Sequence, residues 1–174
     1  SKRRHIFYCG VKLQPLSKGN TNETFTHSGG CLYSPVGNTG LETKSAVAGS
    51  YFKAVMRIKD GCDGDATDTF RVRVPEGMIS VKPKPNWNVE AVVGAYQKTY
   101  DLHGRAVNAG GIELIWRGSL PNDQFDEFVF LGKISDSVPS GAPLYFHTIQ
   151  HCNTATITGA KCQIWIKIGM ISNT

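Results

Sequence analysis

The sequence predicts an all-β protein, a sandwich or barrel of antiparallel strands behind an irregular N-terminal extension. Two segments alternate cleanly between apolar and polar residues. In Thr69–Val74, Phe70, Val72 and Val74 point one way and Arg71 and Arg73 the other; in Cys162–Ile168, Ile164, Ile166 and Ile168 oppose Gln163, Trp165 and Lys167. A period of two is the signature of a strand with one wet face. Turn residues also recur at short intervals, as in Lys59-Asp60-Gly61 and Pro75-Glu76-Gly77. No helical stripe of ten or more residues is present, which excludes parallel βαβ architecture, because its crossovers need helices.

The elements follow in order. Residues 1–40 are rich in Gly, Ser, Thr and Asn and show neither period, so they read as an extension, with one short strand at Ile6–Leu13. From residue 41 to 174 the chain reads as a single domain. Its strands are Tyr51–Ile58, Thr69–Val74, Ile79–Val81 (stopped by Pro83 and Pro85), Trp87–Val93, Ile112–Trp116 after the turn-like Gly110-Gly111, Glu127–Leu131, Leu144–Cys152 and Cys162–Ile168. Short strands separated by turn clusters are the pattern of a sandwich. Phe70, Val72, Val74, Phe128, Phe130, Ile164, Ile166 and Ile168 are its predicted core, and Arg71 and Arg73 its solvent side.

Composition narrows the function classes. At 174 residues, with 40% apolar and 19% charged residues, the chain is neither disordered nor a coiled coil. No apolar run reaches the roughly 18 residues of a membrane helix. Ser1-Lys2-Arg3-Arg4 begins like a secretory signal, but His5–Cys9 is too short for its apolar core, so any signal is expected to be removed or to precede this chain. The net charge of +5 is spread along the sequence instead of gathered on one element, which argues against a nucleic-acid partner. The five cysteines (Cys9, Cys31, Cys62, Cys152 and Cys162) lack the spacing of a zinc knuckle or redox dithiol, leaving disulfides or buried thiols.

Catalytic signatures are missing: there is no nucleophile elbow, P-loop, H-E-x-x-H or calcium loop. Asp126 and Glu127 are adjacent, so on a strand they face opposite ways and cannot share acid–base work; one is expected to face solvent and the other to cap a turn or meet a basic neighbour. His147 and His151 share a strand face but sit about 13 Å apart, too far to share one metal ion. Lys82-Pro83-Lys84-Pro85-Asn86-Trp87 holds Trp87 in place to close one end of the core; Trp116 sits in a strand with the same role. Trp165, opposite three isoleucines, is a large aromatic on a polar face, a feature that marks a site.

Taken in order, these motifs resemble a known family. Ala48-Gly49-Ser50-Tyr51-Phe52-Lys53 leads to Asp60-Gly61-Cys62-Asp63-Gly64, then Arg73-Val74-Pro75-Glu76-Gly77, Val81-Lys82-Pro83-Lys84-Pro85-Asn86-Trp87, Leu102-His103-Gly104, Ile115-Trp116 and Phe125-Asp126-Glu127-Phe128-Val129-Phe130. Order and spacing look like the YcnI-type copper-binding domain, in its proteobacterial branch, over roughly residues 41–168. The resemblance implies an immunoglobulin-like or cupredoxin-like sandwich in a periplasmic or secreted protein. It implies a Cu(II) site in which a mature N-terminal His chelates through its amine and imidazole, a Glu completes the N/O set that Cu(II) favours, and a Trp lies against the metal. The Glu corresponds to Glu90 in Trp87-Asn88-Val89-Glu90, and the Trp to Trp165; the two are expected to converge on one pocket. It also implies that Cys62 and Cys152 bond. The implied partners are the copper ion and other copper-handling proteins.

Two segments depart from the family. Asn38 stands where the His is expected, behind 37 unrelated residues, and the brace cannot form from Asn38-Thr39-Gly40 as written. His5 or His27 would have to substitute, or the site is degenerate, or the sequence ahead of it is not the natural one. Asn153–Lys161 matches no family motif. A copper module that stores, ferries or senses the ion is therefore one reading. A metal-free sandwich with an adhesive or scaffolding role is the alternative, and an enzyme is not expected.

Overall fold

A computed structural model describes residues 39–62 and 64–167. The predicted strand Ile6–Leu13, Asn38, His5, His27, Cys9, Cys31 and Ile168 lie outside the described residues. Ten strands form two packed sheets, with no helix among the described residues: β1 Thr39–Leu41, β2 Ser45–Val47, β3 Tyr51–Ile58, β4 Thr67–Arg73, β5 Met78–Pro83, β6 Asn88–Leu102, β7 Arg105–Leu120, β8 Asp126–Ile134, β9 Pro143–Cys152 and β10 Thr156–Lys167. One sheet runs β1-β3-β8-β5, the other β2-β10-β9-β4-β7-β6. The fold is the expected β-sandwich. One detail differs: β2 pairs with β10 in parallel, while the other paired strands are antiparallel.

The core forms where the alternation aims it. Phe70, Val72, Leu114, Trp116, Phe146, Ile164 and Ile166 from the larger sheet meet Phe52, Met56, Ile58, Phe128, Phe130 and Ile134 from the smaller. Aromatic rings dominate the centre: Phe128 lies 4.8 Å from Phe70, 5.4 Å from Trp116 and 5.0 Å from Trp87, between ring centroids. Trp87 closes that end, as expected. Its backbone is left-handed, with φ 50°. The indole covers Gly118 so closely that a Cβ there would lie 2.5 Å from Trp87 Cδ2, which is why position 118 carries no side chain.

Two predicted burials need correction. Val74 is only half-buried, because β4 ends at Arg73 and the chain turns away at Pro75. Arg71 is partly covered instead of open to solvent: Glu113 on β7 accepts from its Nε at 3.1 Å and its Nη2 at 2.9 Å, which lays the guanidinium along the sheet. Arg73 is exposed, as predicted.

The β6–β7 hairpin is far longer than the two short strands expected. Gly110-Gly111 lies inside β7, not at a turn. The register shifts between Val92 and Val93 and again between Ala95 and Tyr100. Such irregularities bend a ribbon, and here β6 and β7 both pack against β5 of the other sheet. The tip, Leu102-His103-Gly104, reaches the first residue of β3, where His103 Nε2 and Tyr51 Oη are 3.2 Å apart. Ile79 and Tyr100 are buried, although neither belongs to the inter-sheet core. Tyr100 donates a 2.6 Å hydrogen bond to Glu76 Oε1.

Candidate metal centre

Cys62 and Cys152 are bonded, with Cα atoms 6.0 Å apart. The link ties the β3–β4 loop to the end of β9, and Cys162 is buried on β10. Asp126 and Glu127 have the structural roles expected. Glu127 accepts from Arg57 Nη2 at 2.7 Å, while Asp126 Oδ1 caps the backbone N–H of Glu127 at 2.7 Å and its carboxylate receives the Asn86 amide. His147 and His151 lie on one face of β9, as the alternation requires.

Trp165 is 48% exposed on the outer face of the six-stranded sheet, where the alternation placed it. Glu90 is also on that outer face, because it pairs with Ile115, opposite the inward Leu114 and Trp116. The two do not meet. Following the register outward from Glu90 leads to Ile115, Arg71, Ile149 and then Thr158 on β10. That path crosses four strand spacings, roughly 19 Å. Trp165 then lies a further seven positions along β10, roughly 20 Å more in the strand direction. The expected convergence of Glu90 and Trp165 is corrected: they occupy diagonal corners of one face. The reason is topological, since β6 is an edge strand and β9, β4 and β7 stand between it and β10.

The head of the domain is elsewhere again. Thr39 opens β1 in the four-stranded sheet, paired with Ile58, and its carbonyl accepts from the inward Cys162 Sγ at 3.8 Å. Thr39 therefore faces the space between the sheets, while Glu90 and Trp165 face outward. The Glu90 carboxylate is already engaged, with Oε2 2.8 Å from Arg117 Nη1. Among the described residues no three His, Cys, Asp or Glu side chains cluster as metal ligands. The described residues alone do not fit a Cu(II) ion: they offer single donors far apart, not a tetragonal set.

Sequence reasoning missed a different feature of this face. A groove of about 430 Å³ lies beside the disulfide, lined by Asp68, Thr69, Arg71, Ile115, Arg117, His151 and Cys152. Asp68 is an extra residue relative to β9, where the partners of Thr67 and Thr69, Cys152 and His151, are adjacent. Alternation could have assigned Arg71 and Arg117 to an outer face, but only the pairing of β4 with both β7 and β9 places them beside His151.

A solved structure supports the fold. An uncharacterized protein from Nocardia farcinica with an immunoglobulin-like fold superposes with a TM-score of 0.51 at 14% identity, covering 74% of this chain and 97% of that one. The third cohesin ScaC of Acetivibrio cellulolyticus, solved with the ScaB dockerin, gives 0.43 at 14% identity, over 74% of this chain and 97% of its own. No curated protein matches in sequence. Residues 39–168, three quarters of the chain, match the family described as Domain of unknown function (DUF1775), the family to which YcnI-type proteins belong, and this chain is a member of it.

Proposed function

We propose that the protein is an extracytoplasmic copper-handling module, a binding protein and not an enzyme. Its Cu(II) capacity depends on residues ahead of Thr39. The observation that carries this reading is the family match, which begins at residue 39; the resemblance to YcnI-type domains puts the His ligand at the position just before it. The Cys62–Cys152 bond supports a periplasmic or secreted location, because disulfides persist in oxidising compartments. With Asn38 at the His position, the chain is proposed to bind Cu(II) much more weakly than a member with the brace. The test is a calorimetric Cu(II) titration of the full chain. Weak, saturable binding at one equivalent supports the reading, and no heat above the buffer control rejects it.

A second reading is a metal-free sandwich that serves as a scaffold. It is favoured by one specific observation: the Glu90 carboxylate is held by Arg117 and stands across the sheet from Trp165.

A further inference from the structure

We propose that the groove beside the disulfide binds a phosphate-type oxyanion between Arg117, Arg71, Thr69 and His151. The register builds the site. Thr69 on β4 pairs directly with Arg117 on β7 and with His151 on β9, so three side chains with N–H or O–H groups stand in one row across three strands. Arg71, two residues along β4, shares their face, and all four line the groove. Ile115, buried on this outer face, gives the groove an apolar floor.

The arginines are preorganised. Glu113 takes Nε and Nη2 of Arg71, and Glu90 takes Nη1 of Arg117. A guanidinium carries more N–H donors than one carboxylate uses. Arg71 Nη1 and Arg117 Nε and Nη2 thus retain donors on side chains already held in position. His151 Nδ1 is 3.1 Å from Thr156 Oγ1, which fixes the ring and leaves Nε2 for a ligand. Donors from two guanidiniums, a hydroxyl and an imidazole suit a tetrahedral oxyanion, the ligand for which arginine geometry is best matched. Glu90 and Glu113 offset the two positive charges, and Asp68 adds a negative one at the rim. Binding therefore comes from aligned donors instead of net charge, and its affinity is modest. The groove's size leaves room for a substituent, so the ligand is either the free anion or a phosphate monoester.

The experiment follows the arginine Nε–H signals of the full, disulfide-bonded chain by NMR at constant ionic strength. Inorganic phosphate and glycerol 3-phosphate are titrated in separate arms. The proposal predicts saturable shifts of Arg71 and Arg117 in at least one arm, the tighter arm naming the source. Arg117→Gln weakens binding at least tenfold, Asp68→Asn strengthens it severalfold, and Arg57→Gln on the other sheet leaves it unchanged. If Arg117→Gln does not fold, Thr69→Val and His151→Gln carry the test, each weakening binding severalfold. Linear shifts without saturation in both arms, or an equal loss from Arg57→Gln, would overturn the proposal.

Discussion

Glu90 and Arg117 are joined across the β6–β7 pair, with 2.8 Å between Oε2 and Nη1. Both side chains are about half exposed, and such pairs contribute little to stability. Glu90→Gln is expected to change the unfolding free energy by less than about 1 kcal/mol in urea titrations. A loss of several kcal/mol would mean that Glu90 bears on the fold in some way this pair does not explain.

The Cys62–Cys152 bond closes a 90-residue separation. In the chain-entropy model a loop of that size is worth roughly 4–5 kcal/mol. Reduction, or Cys62→Ser with Cys152→Ser, should lower the denaturation midpoint accordingly. Thiol counting under denaturing conditions checks the bond: the doubly substituted chain should show the same number of reactive thiols as the oxidised parent.

Gly118→Ala should displace Trp87, because the new Cβ would fall within 3 Å of several indole atoms. Trp87 packs edge-on against Phe128, so the displacement opens one end of the core. The expected cost is about 1–3 kcal/mol, with tryptophan emission shifted to longer wavelength. Unchanged emission and stability would contradict the packing.

Tyr100 predicts alkaline behaviour. Burial first, and then its hydrogen bond to Glu76 and the charge of Glu76, push its phenol well above the ordinary tyrosine range. The folded state therefore keeps a proton that the unfolded state releases above about pH 10. The contribution is complete below that pH and is lost as pH rises toward the folded value. Burial raises Tyr96 in the same direction. Unfolding free energy should fall with pH above about 10, and less steeply in Tyr100→Phe. That variant should also lose about 1 kcal/mol at neutral pH, with its hydrogen bond.

Much of the fold was legible because its signals are local. Tyr51–Ile58 is bounded by a turn and matches β3 residue for residue, and the alternation of Phe70, Val72, Ile164 and Ile166 fixed which face is buried. Strands β1 and β2, three residues each, are too short to show a period. Gly110-Gly111 misled because glycine marks turns by default. Here its bareness serves close packing inside a strand, since a Cβ on Gly110 would meet the Tyr96 ring. The site was the least legible part. Glu90 and Trp165 were joined by motif alone, and whether two strands are neighbours is set by sheet order, which neither segment encodes. The same is true of the row formed by Arg117, Thr69 and His151.

The chain belongs to the DUF1775 family, and its proposed copper capacity rests on the position before Thr39. That dependence is measured by calorimetric titration of Cu(II) into a chain trimmed to begin at position 38 and carrying Asn38→His, alongside the full chain. One-to-one binding at least a hundredfold tighter is expected in the trimmed chain. Equal affinities in the two chains, or no binding in either, would contradict it.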